Sequence, residues 1–101
     1  MTADAVGGVW TYAMELSRAL ERHSVERVLA AMGGPTPPPE RPPNVIALHH
    51  RPYKLEWMDE PWDDVRRAGE WLLELEARFA PTVIHLNGYA HAALPWRAPV
   101  L

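Results

Sequence analysis

The chain has 101 residues, a net charge of −3, 48 % hydrophobic residues and no cysteine. That length holds at most one domain with a core of its own. The composition excludes a disordered chain, a disulfide scaffold or thiolate metal site and, with Lys and Arg dispersed, a basic stripe for nucleic acid. No apolar run approaches the roughly 20 residues of a membrane span and the N-terminus lacks a signal pattern, so a soluble cytoplasmic protein is expected, with peripheral membrane contact left open.

The chain opens on Met1-Thr2-Ala3 and then Asp4-Ala-Val-Gly-Gly-Val-Trp-Thr-Tyr12. Gly7 and Gly8 stand directly before an amphipathic pattern. Glycine there lets the backbone turn and lets a ligand approach without meeting a Cβ, while a helix start offers free N–H groups and a positive dipole end to an anion. An ordinary helix-capping loop reads the same way. Val9, Tyr12, Ala13, Leu16, Ala19 and Leu20 recur at helical spacing and predict a helix from about Val9 to His23. Val25 to Met32 reads as a strand, and its continuous apolar run, Val28 to Met32, suits a strand covered on both faces. Gly33 to Pro43 is proline-rich, excluded from helix and central strand, and reads as an exposed loop, with a proline-ligand role as the alternative.

Asn44 to Leu48 predicts a second short strand and His49 to Glu60 a polar, aromatic-rich loop. Pro61 to Phe79 predicts a second helix, with proline in the first turn, Asp63 and Asp64 at the positive end, and Val65, Ala68, Gly69, Leu72, Leu75 and Phe79 as its apolar stripe. Thr82 to Leu86 reads as a third strand, Asn87-Gly88 breaks it, Tyr89 to Leu94 suggests a short helix, and Pro99 to Leu101 the opening of a fourth strand.

Helices alternating with apolar strands imply an α/β fold with a parallel sheet covered on both faces. Ligands of such sheets bind beyond the carboxyl ends of the strands, where the Gly7-Gly8 loop, the loop after Leu48 and the Asn87-Gly88 turn converge. A dinucleotide site is excluded because G-x-G-x-x-G is absent and the strand ends Met32-Gly33 without a ribose-binding acid; an ATPase P-loop is excluded because no Gly-Lys-Ser/Thr occurs. The five histidines have no metal-ligand spacing. His85, inside an apolar strand, reads as a hydrogen-bonded core histidine, and His91, past the turn, either faces the cleft or lies on the surface. Tyr53, Lys54, Trp57 and Trp62 place a cation and aromatic rings around one loop; the tryptophans read as packing, whereas Lys54 suits an anionic or polar substrate group. No nucleophile–base–acid set is legible.

Met-Thr-Ala-Asp-Ala-Val-Gly-Gly-Val-Trp-Thr-Tyr-Ala, together with Tyr53 to Val65 and Ile84 to Trp96, resembles the amino-terminal domain of the family-4 glycosyltransferases. That resemblance implies the two-domain GT-B fold, of which this chain is part of one Rossmann-like half. The family's first strand is almost wholly missing, with Met1 as its last residue. The resemblance further implies a retaining transferase that moves a sugar from a nucleotide-sugar donor to a sugar or glycan acceptor. In that family this domain mainly holds the acceptor, and the glycine loop lies against donor phosphates or acceptor. This carries onto Gly7 and Gly8, and onto Asn87 at the rim. With Lys54 and His91 from the residue reading, these five are the candidate substrate-binding residues. The nucleotide-binding carboxy-terminal domain, with its paired glutamates, is absent from the sequence. No metal or cofactor is expected beyond the co-substrate, and the expected entity is one partial domain, inactive alone. The alternative is a stand-alone α/β module binding a phosphorylated small molecule.

Overall fold

The computed structural model describes residues 1–5 and 7–101; Val6 of the glycine motif lies outside the described residues. The order is β1 (Thr2–Asp4), α1 (Gly7–Glu21), β2 (Arg27–Met32), β3 (Val45–Arg51) and α2 (Trp62–Phe79). The three strands form a parallel sheet in the order β1-β2-β3. On the far side of β1, the Thr2 N–H donates to the His85 carbonyl at 2.9 Å. Beyond that, Ile84 pairs in parallel with Val100. Five lines of chain therefore run β3, β2, β1, 84–86, 99–101, the doubly wound arrangement with β1 at the centre.

Alternation along β2 builds the two cores. Leu29 faces Ala3, Ala13, Met14 and Val45 on the α1 side, and Ala30 and Met32 face Leu55, Ala68, Trp71 and Leu72 on the α2 side. Successive residues of a strand point to opposite faces, so an unbroken apolar strand is what a sheet covered on both faces requires. Among the described residues, no helix is long and apolar enough to cross a membrane.

The structure departs from the sequence expectations at definable places. The α1 stripe is turned from the expected one: Ala13, Met14 and Ser17 are buried, whereas Tyr12 is 46 % exposed. Ser17 enters the core because its hydroxyl donates to the Ala13 carbonyl at 2.7 Å and leaves no unmet polar group. β3 runs three residues past Leu48, since His49, His50 and Arg51 stay in register with Ala30, Ala31 and Met32. Thr82–Leu86 and Pro99–Leu101 make only the single Ile84–Val100 bridge, between prolines that supply no N–H. Tyr89–Leu94 is a pair of turns, Ala92 to Tyr89 and Leu94 to His91, and no helix; Pro95 disfavours helical backbone just before it. The proline-rich stretch is irregular as expected, yet Pro37 and Pro42 are buried.

Glu76 is a second buried polar residue that periodicity misses. Its carboxylate accepts the Arg97 N–H at 3.0 and 3.1 Å and the Ala98 N–H at 3.0 Å. One helix side chain thereby holds the turn that delivers residues 99–101 to the sheet.

Candidate functional site at the carboxyl rim

The carboxyl ends of β1, β2 and β3 lie at one edge, followed by the three loops expected there. Asp4 ends β1, and α1 begins at Gly7 with φ +73°. That positive φ is the conformation glycine tolerates at no steric cost. A Cβ at Gly7 or at Gly8 meets nothing within 4 Å, so both look onto open space. The first turn of α1 carries no acidic residue, so no carboxylate within that turn offsets its positive dipole end.

A small pocket of about 70 Å³ lies beside this start, lined by Asp4, Lys54, Glu56, Trp57, Asn87 and His91 among others. The structure thus brings Lys54, Asn87 and His91 together, while Gly7 and Gly8 sit outside the pocket lining. Each of the three polar residues also has work in the scaffold. Asn87 donates through Nδ2 to the Thr2 carbonyl at 2.7 Å, and its N–H reaches Thr2 Oγ1 at 3.0 Å, so it ties the rim turn to β1. His91 Nε2 donates to the Val65 carbonyl at 2.8 Å on α2. Lys54 is exposed; its ammonium donates to the Asp59 carbonyl at 2.9 Å and its N–H to Asp64 Oδ2 at 2.8 Å.

Two carboxylates that sequence reasoning passed over face the same pocket. Burial pushes the Asp4 carboxyl above the ordinary carboxylate range, the Trp57 indole pulls it down and the Glu56 charge pushes it up. Glu56 Oε1 accepts the Tyr89 N–H at 3.0 Å. A Cβ at Gly88 would stand 2.9 Å from that same oxygen, so glycine is what lets the carboxylate close on the turn. Trp57 and Trp62 stand 67 % and 66 % exposed, so neither tryptophan is the packing residue expected, and Tyr89, past the rim turn, is 90 % exposed. The signal available in sequence was position: Asp4 stands three residues ahead of Gly7, and Glu56 and Trp57 come two and three residues after Lys54.

His85 is not the hydrogen-bonded core residue expected. Its ring is half-buried and lies edge-on to Tyr12, centroids 6.1 Å apart. Burial, then the charges of Arg27 and the N-terminus, lower its pKa. His49 and His50 alternate along β3: His49 packs on the Phe79 ring at 5.6 Å, and His50 Nε2 bonds the Gly33 carbonyl at 3.2 Å.

The sequence model of Glycosyltransferase Family 4 matches residues 6–101. The chain belongs to that family. The match begins within the glycine motif and takes in both helices, β2, β3 and the rim turn, with β1 lying just ahead of it. No curated protein and no solved structure matched the chain.

Proposed function

We propose that this family-4 domain is the acceptor-side half of a retaining glycosyltransferase, most simply a cytoplasmic hexosyltransferase of carbohydrate metabolism. It works with a nucleotide-sugar donor and a sugar or glycan acceptor. The observation that carries the reading is the family match combined with the open Gly7-Gly8 turn at the carboxyl rim. A glycine turn there admits donor phosphates or acceptor to the N–H groups of α1 at a distance any Cβ would forbid. A second, nucleotide-binding domain supplies the donor site, and no metal is assigned a role.

Two results test this. Purified alone, the 101-residue chain transfers no sugar from any nucleotide-sugar, because transfer needs donor and acceptor held together in reacting geometry; product formation by the chain alone, followed by mass spectrometry, refutes the division of labour. In the full-length enzyme, Gly8→Val lowers turnover by at least about tenfold while the melting temperature stays close to the parent. The added side chain enters empty space in the domain but stands in the ligand's approach, and a displacement of about 1 Å at a reacting centre costs up to about a hundredfold. Unchanged turnover removes Gly8 from the site.

A further inference from the structure

The geometry points to an uncharged sugar as the occupant of the rim pocket, with its hydroxyls donating to Asp4 and Glu56 and a ring face lying on Trp57. This deepens the transferase reading and rests on it for the sugar's role as acceptor. Three independent observations converge.

The first is size and shape. A pocket of about 70 Å³ has room for roughly two waters' worth of atoms. That suits a hydroxyl or hydroxymethyl group entering it, with the rest of the ring outside. The second is charge. Asp4 and Glu56 both line the pocket. The adjoining segment adds Asp59, Glu60, Asp63 and Asp64. Among the described residues, Lys54 is the one lysine or arginine lining it, and its ammonium is engaged by the Asp59 carbonyl. Arg66, at the start of α2, is paired with Glu70 at 3.2 Å. A phosphorylated ligand would bring its oxygens against two carboxylates, and like charges at close quarters repel. Neutral hydroxyls instead donate to carboxylate oxygens, in hydrogen bonds strengthened by the charge.

The third is the aromatic surface. Trp57 is 67 % exposed yet lines the pocket, and Tyr89, 90 % exposed, adjoins it through its N–H on Glu56. Large aromatic faces held in water beside convergent polar groups are how ligand sites combine apolar contact with orientation. The C–H face of a pyranose offers the apolar contact while its hydroxyls reach the carboxylates. Glu56 is already positioned: Oε1 is fixed by the Tyr89 amide, and Oε2 has no protein partner among the described residues.

Two-dimensional ¹⁵N NMR of the chain, titrated with methyl α-glucopyranoside and separately with glucose 6-phosphate, tests this. The neutral glycoside shifts the Gly88 and Tyr89 amides and the Trp57 indole N–H. Trp57→Ala weakens binding about tenfold or more, Asp4→Asn weakens it while leaving the other cross-peaks in place, and glucose 6-phosphate binds the pocket less well than the glycoside. Absence of these shifts, shifts confined to other residues, equal binding by Trp57→Ala, or tighter binding of the phosphate at this pocket overturns the assignment. Failure here is separable from failure of the transferase reading. Sugar transfer by the full-length enzyme with no glycoside in this pocket removes the pocket alone; glycoside binding in an enzyme that transfers nothing removes the reaction alone.

Discussion

With four or five apolar residues added ahead of Met1, the domain melts roughly ten degrees or more above the 101-residue chain. The reason lies at the amino end of β1. Met1's ammonium is largely buried and donates to the Val28 carbonyl at 2.8 Å, continuing the ladder between β1 and β2. Below it opens a cavity of about 660 Å³, lined by Val28, Leu72, Leu75, Phe79, Ile84 and Trp96 among others. Arg27 projects into the same region, buried, with Nη1 unpartnered. An extended apolar segment joined to Met1 enters this slot between β2 and residues 82–86, because the nitrogen it is bonded to already points there. It covers apolar surface worth about 25 cal/mol per Å² and replaces a buried charge by an amide.

The charge alone sets the scale and gives a pH signature. Burial, then the Arg27 charge, lowers the Met1 ammonium from 8.0 to about 6. Two pKa units correspond to about 3 kcal/mol, and each kcal/mol moves the midpoint of a domain this size by about 4–8 °C. The folded pKa lies below the unfolded one, so the folded state binds fewer protons and stability is lost as pH falls. Met1's part of the stability of the 101-residue chain is therefore intact above pH 8, is lost between pH 8 and 6, and falls no further below. The extended chain lacks that loss; both forms share the one that sets in as pH falls through the histidine range, from His49 and His85, whose pKa values burial also lowers. Thermal melts of both forms across this range decide the matter. Equal midpoints, with the short form melting cooperatively as a monomer, dispose of the argument; so does a pH dependence that the extension leaves unchanged.

What could be read from the sequence follows from how far each signal reaches along the chain. The apolar run of β2 and the stripe of α2 are local and strong, and both elements lie where periodicity puts them, within a residue or two. The central place of β1 was legible as topology, since alternating strands and helices leave a doubly wound sheet few arrangements. What was lost depends on contacts distant in sequence. Ser17 looks polar until its hydroxyl finds the Ala13 carbonyl, and Glu76 looks like a solvent residue until Arg97 and Ala98 come to it. At the rim, Lys54, Asn87 and His91 were placed at the correct edge by strand direction alone. Their own hydrogen bonds to Asp59, Thr2 and Val65 had no trace in the residue pattern. Glu56 is legible as a site residue only once Gly88, 32 positions later, is seen to make room for its carboxylate.

Glu76→Ala destabilises the domain by about 3–5 kcal/mol, more than the other single substitutions considered. Hydrogen bonds to a charged acceptor contribute about 1.5–3 kcal/mol each, and removing this carboxylate strips the Arg97 and Ala98 amides of theirs at once. The loss does not stay local. Residues 97 and 98 lead into Pro99–Leu101, where Leu101 donates to the Ile84 carbonyl at 2.7 Å and Leu86 donates to Leu101 at 3.2 Å. That outer line supports 84–86, which in turn carries Asn87 and Gly88 to the pocket. Glu76→Gln keeps the shape and one acceptor oxygen, so it costs less, about 1–2 kcal/mol, the difference measuring the charge. Hydrogen exchange supplies the spatial check: in Glu76→Ala the Leu86 and Leu101 amides lose protection before those of β2, because the outer line opens as a unit while the central strands hold. A midpoint for Glu76→Ala within a degree or two of the parent, or protection lost evenly across the sheet, shows that the carboxylate is not what anchors this edge.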